Sequence, residues 1–128
     1  MSKCSVLVVA CMDHRIQGRI KDYLKQLGHL DHNDETYDRI YGAGGPQMLV
    51  HPERRSWVIE QIGIGIEKHG VNKVILLAHR DCAMYGGSRS FSGCSAEETA
   101  YKDDLEKAAG HVCGLFPGII VSKHIMDI

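Results

Sequence analysis

Two short runs of branched apolar residues constrain this fold more than any other feature of the chain. They are Ser5-Val6-Leu7-Val8-Val9-Ala10 and Lys73-Val74-Ile75-Leu76-Leu77-Ala78. A strand with one wet face alternates polar and apolar residues, whereas a continuous apolar run is buried on both faces. That is the mark of a parallel sheet covered by helices. Helical patterns lie between the runs. Beyond Cys11-Met12-Asp13-His14-Arg15, residues Ile16, Ile20, Tyr23, Leu24 and Leu27 recur on one face, and Gly28 ends the pattern. His29 to Glu35 reads as a polar loop and Thr36 to Tyr41 as a short second strand. Gly42-Ala43-Gly44-Gly45-Pro46 has the composition of a turn. Pro52 opens a long helical segment with Val58, Ile59, Ile62 and Ile66 inward, closed by Gly70. Gly63 and Gly65 weaken it by about 1 kcal/mol each relative to alanine, and close packing against a neighbour accounts for them. A Gly/Ser-rich loop runs from Gly86 to Gly93. Ser95-Ala96-Glu97-Glu98 then has capping-box spacing and starts a helix to about His111, with Tyr101, Leu105, Ala108 and Val112 inward. A last strand begins at Ile119. Alternating strands and helices predict an α/β fold: a small, mostly parallel β-sheet flanked by helices, with right-handed crossovers. One domain over residues 1–128 is expected.

Composition excludes several functions. A formal net charge of -1, with 44% hydrophobic and 24% charged residues, gives no global attraction to nucleic acid or to an anionic membrane. No apolar run is long enough to span a bilayer, and the N-terminal run is too short for a secretory signal, so a cytoplasmic location is expected. Five scattered cysteines, an odd number, fit reduced thiols better than a disulfide framework.

Ligands in parallel sheets sit beyond the carboxyl ends of the strands. Cys11 follows the first apolar run and His79 the later one, so both reach the same edge. Each belongs to a cluster, Cys11-x-Asp13-x-Arg15 and His79-x-x-Cys82. Either cluster alone is best read as buried thiols and a capping histidine. Together, two thiolates and one imidazole are three good zinc ligands that leave a fourth position for water or substrate, within reach of Asp13 or His14.

The pair of motifs resembles the β-class carbonic anhydrases, whose zinc site is Cys-x-Asp-x-Arg followed much later by His-x-x-Cys. The similarity extends from about Ser5 to Asp127, and all five motif positions are occupied, by Cys11, Asp13, Arg15, His79 and Cys82. The chain differs at Ala78, where glycine is usual, at Ala83-Met84-Tyr85 inserted before Gly86-Gly87, and at Tyr41-Gly42 in place of Arg-Asn. The resemblance implies a lyase that hydrates CO2 reversibly to bicarbonate through a hydroxide on Zn2+ held by Cys11, His79 and Cys82. It implies that Asp13 orients the water, that Arg15 holds Asp13, and that a freed Asp13 swings onto the zinc. It also implies a homodimer or dimer of dimers with the site at a subunit interface. The same scaffold supports hydrolysis of COS or CS2.

Two rival readings differ in class: a non-catalytic zinc-binding homologue, and a metal-free thiol enzyme with Cys82 as nucleophile. A phosphatase loop would place arginine six residues after Cys82, where Ser88 stands. The glycines at 42–45 lack the Gly-Lys-Ser/Thr of a phosphate loop. His51, His69, His111 and His124 read as solvated or capping, and Cys4, Cys94 and Cys113 receive no role.

Overall fold

The computed structural model describes residues 2–31 and 35–128, and Met1, His32, Asn33 and Asp34, the last three in the expected polar loop, lie outside the described residues. Four strands, β1 (Val6–Ala10), β2 (Asp38–Tyr41), β3 (Lys73–His79) and β4 (Ile120–Met126), form one sheet in the order β2-β1-β3-β4. Every neighbouring pair is parallel. The central strands are the two apolar runs, and all of β1 is buried. Their register pairs Val6 with Lys73 and Ala10 with Leu77.

Helices cover both faces. On one, α1 (His14–Gln17) and α2 (Ile20–Gln26) bury Ile16, Ile20 and Leu24 against Val6, Val8, Ala10, Ile75 and Leu77. On the other, α3 (Pro52–Ile64) and α4 (Cys94–Leu115) bury Val58, Ile62, Tyr101, Leu105, Ala108 and Val112 against Leu7, Val9, Val74 and Leu76. The odd and even residues of each central strand feed different layers, which is why these strands show no polar alternation. No helix among the described residues is long and apolar enough to cross a membrane.

Several expectations are corrected. The first helix is broken in two at Gly18, where the Arg19 amide donates to the Ile16 carbonyl in a tighter turn, and Leu27 is left exposed. The long segment from Pro52 widens into a π-turn over Gly65–His69. A Cβ on Gly65 would lie 2.9 Å from Leu7 Cδ1 and 3.1 Å from Asp38 Oδ2, so this glycine does serve close packing, whereas Gly63 makes only ordinary contacts. The helix expected at Ser95 begins at Cys94 with no side-chain cap, so the capping box does not form. It runs past His111 to Leu115. His69 and His124 also have partners: His69, with its side chain still partly exposed, pairs with Asp38, and His124 Nε2 lies 2.8 Å from His29 Nε2.

The glycines after β2 fold down onto the end of β1. Gly45 has φ +56, and a Cβ there would meet Cys11 N at 2.7 Å and the Ala10 carbonyl carbon at 2.9 Å, both backbone atoms that cannot yield. Gly45→Ala should therefore destabilise the fold by roughly 2 kcal/mol or more. On a chain of this size that lowers Tm by about 5–10 °C. An unchanged Tm in thermal unfolding would mean that this loop is not pinned to β1.

Candidate metal centre

The strand order places the site. The chain moves outward from β1 to β2, then returns past β1 to build β3 and β4. A crevice opens where the direction reverses, beyond the carboxyl ends of β1 and β3. Cys11 follows the last residue of β1, His79 is the last residue of β3, and Cys82 lies three residues on. All three are buried, with His79 1%, Cys82 2% and Cys11 6% exposed. Their donor atoms lie within 4.8 Å of one another, close to the spread of about 3.3–3.8 Å around one tetrahedral ion with bonds of 2.0–2.3 Å.

His79 is oriented as a ligand. Its Nδ1 donates to the Arg80 carbonyl at 2.7 Å, which leaves the Nε2 lone pair facing the thiols. Nε2 is buried and has no hydrogen-bond partner. Such an orphan inside a protein needs an explanation, and a metal ion between two sulfurs supplies one. The donors present therefore fit a zinc-like ion.

The two adjacent thiols are pushed in opposite directions. Cys11 is held well below the ordinary thiol range, first by the neighbouring Cys82 thiol and, against burial, by His79 and by the Gly44 amide, which donates to Cys11 Sγ at 3.4 Å. Cys82 is pushed up, first by Cys11 and then by burial. Burial opposes charge on His79, but Cys11 and the Arg80 carbonyl outweigh it and raise its pKa.

Asp13 caps α1, accepting from the Arg15 amide at 2.8 Å. The Arg15 guanidinium grips the same carboxylate from Nε and Nη2, the latter at 2.8 Å. Arg15 also reaches Asp81, donating at 2.9 Å to both Oδ2 and the carbonyl. These bonds hold the Asp13 carboxyl well below the usual carboxylate range. Asp13 Oδ2 lies 3.8 Å from His79 Nε2, at the edge of the donor cluster. His14, the other residue considered for a fourth ligand, has a side chain 94% exposed. A cleft of about 900 Å³, walled by Arg15, Arg80, Gly87 and Arg89 among others, opens beside the site.

Glu97 is the functional residue that sequence reasoning assigned elsewhere. It is 3% exposed and accepts from the Asp81 amide at 2.8 Å, the Ser88 hydroxyl at 2.8 Å and the Tyr101 hydroxyl at 2.6 Å. Burial disfavours its charge, but these donors outweigh it and lower its pKa. Asp81, between His79 and Cys82, is the one non-glycine at positive φ (+58) among the described residues. Glu97 thus holds the strained residue of the His-x-x-Cys loop. The readable signal was its place four residues before Tyr101 on the inward stripe of α4, where a carboxylate is out of character. Gly44 was likewise read only as part of a turn.

A family model described as "putative carbonic anhydrase" matches residues 1–123, and the chain belongs to that family. An uncharacterized protein of Rickettsia conorii is 25% identical over 134 residues, covering 100% of this chain and 70% of its own length. Among solved structures, the carbonic anhydrase from Streptococcus mutans aligns with 98% of this chain and 77% of its own, at 25% identity and a TM-score of 0.54. The apo form of a carbon disulfide hydrolase aligns with 99% of this chain and 76% of its own, at 16% identity and a TM-score of 0.52. The second likeness is one of fold.

Removing Glu97 leaves the Asp81 amide and two hydroxyls without their acceptor. Glu97→Ala should cost roughly 3 kcal/mol of stability. A loss below about 0.5 kcal/mol in denaturant unfolding would mean that Glu97 does not hold the loop in solution.

Proposed function

We propose that this chain hydrates CO2 reversibly to bicarbonate, with Zn2+ held by Cys11, His79 and Cys82. Asp13 acts as the water-orienting residue and Arg15 as its holder. The observation that carries the reading is the buried, unpartnered Nε2 of His79 facing two thiols at the switch point of the sheet. Zinc bound there would supply a Lewis acid that lowers the pKa of a water and readies it to attack the carbon of CO2. The chain's own residues supply orientation. Asp13, kept ionised by Arg15, can only accept a hydrogen bond, so it directs a water's proton toward itself and a lone pair outward. Arg15 is anchored in turn by Asp81, which keeps Asp13 on the arginine and off the metal position. Hydrolysis of COS or CS2 is the second reading, favoured by the fold likeness to carbon disulfide hydrolase and by Tyr85, which packs against the cluster that holds Cys11 and Cys82. Cytoplasmic location, a single domain and a homodimer or dimer of dimers complete the proposal, on the strength of the family.

Elemental analysis tests the ligand set. Cys82→Ser should lose one equivalent of zinc per chain, and full retention would remove Cys82 from the site.

Stopped-flow CO2 hydration, run beside COS and CS2 hydrolysis, tests the reaction. Two thiolate donors leave zinc less electrophilic than three imidazoles do, so activity should rise toward alkaline pH. Asp13→Asn should keep zinc and lose activity by roughly 10–100-fold. Activity on the sulfur compounds alone selects the second reading. Zinc-loaded protein inactive on all three substrates overturns the enzyme assignment and favours a non-catalytic homologue.

A further inference from the structure

We propose that Cys4, Asp38 and His69 form a second site for a zinc-like divalent transition ion, at the opposite end of the sheet from Cys11, His79 and Cys82. Cys4 precedes β1, Asp38 opens β2, and His69 ends the π-turn that leads to β3. The three lie at the amino ends of the strands, and Cys4 stands seven positions before Cys11, about 23 Å at strand rise. The second site therefore does not depend on the first.

Three donor types converge. The Cys4 thiol, an Asp38 carboxylate oxygen and a His69 ring nitrogen lie within 4.8 Å of one another. His69 Nδ1 is 2.7 Å from Asp38 Oδ2 and 2.8 Å from Oδ1. Two ligands on one tetrahedral ion stand about 3.3 Å apart, so this pair opens by about half an ångström to admit a metal. A structural Asp–His pair needs no thiol. Sulfur, nitrogen and oxygen around one point make a borderline-soft donor set, which suits zinc and not calcium or magnesium.

The backbone is arranged to bring them together. The Cys4 amide donates to the His69 carbonyl at 3.1 Å, tying the two ligand-bearing segments directly. The wide π-turn carries His69 over the start of β2, a deviation often found at functional sites. Gly65 opens that turn, and a Cβ there would crowd the Asp38 carboxylate at 3.1 Å, so the glycine lets the turn lie close against Asp38. The cluster is half-buried rather than sealed. Three small cavities, of about 200, 190 and 320 Å³, all include His69 in their walls, giving an ion and its remaining waters a way in. Three protein ligands leave at least one coordination position to water, and an ion there would clamp the start of the chain to β2 and to the turn before β3.

Cobalt(II) titration of the full, chelator-stripped chain tests this, because thiolate-to-cobalt absorption reports sulfur ligation. The wild type should bind two equivalents. Cys4→Ala and His69→Gln should each lose one equivalent and about a third of the thiolate absorption, one thiolate of three. Cys11→Ser should keep the equivalent that depends on Cys4. Cys4 lies before β1, so its alanine variant decides the matter if His69→Gln fails to fold by circular dichroism. A Cys4→Ala chain that binds as much cobalt as the wild type, with the same absorption, overturns the proposal. Failure of the first site instead would appear as a Cys11→Ser chain that loses nothing.

Discussion

The parallel pairing of β1 with β3 is the interaction on which the rest depends. Its register sets Ala10 beside Leu77, so Cys11 leaves β1 next to the last two residues of β3. A slip of one residue would turn every side chain of the strand to the other helical layer, burying Val9 with α2 and Val8 with α4. It would also carry Cys11 about 3.3 Å along β3 and out of reach of His79. Core and donor cluster are therefore fixed by one constraint. The layer that needs Val8 and Ala10 against Ile16 and Ile20 is the layer into which Cys11 and Cys82 also pack.

Around the donors, charge is managed in pairs tied to separate elements. Asp13 belongs to the cap of α1, Arg15 to its first turn, Asp81 to the loop after β3 and Glu97 to the first turn of α4. Arg15 bridges Asp13 and Asp81, and Glu97 accepts from the Asp81 backbone. The chain of contacts thus couples the orientation of Asp13 to a helix on the far face of the sheet. Glu97 would be costly to bury alone; with three donors on it, it becomes the fixed point for a loop whose Asp81 backbone resists its own conformation.

What the sequence made legible follows the strength of local signals. The two apolar runs are the two central strands, and the inward stripe of α4 is Tyr101, Leu105, Ala108 and Val112 as the periodicity indicates. Cys11, His79 and Cys82 could be brought together before any coordinates because strand ends in a parallel sheet share one edge. The misses are tertiary. Ser95 to Glu98 has the spacing of a capping box, but Glu97 lies deeper in the structure, among stronger donors than a helix terminus offers. The break at Gly18 and the π-turn at Gly65 preserve a helical hydrophobic pattern on either side, so periodicity cannot reveal them. Cys4, Asp38 and His69 lie far apart in sequence with no motif between them, and only the register of three strands gathers them.

The donor cluster also explains its own protonation. Two adjacent buried thiols cannot both ionise at ordinary cost, so one falls well below its usual pKa and the other rises above it, while the imidazole is drawn toward protonation by the thiolate beside it. Two thiolates and a neutral imidazole around a dication would carry no net charge. A metal held there would need both thiols ionised and the imidazole neutral, so its binding would release protons. Asp13 stands outside that exchange because Arg15 already neutralises it. Its Oδ2, 3.8 Å from His79 Nε2, stays a hydrogen-bond acceptor at the edge of the donor cluster whatever the protonation of the thiols.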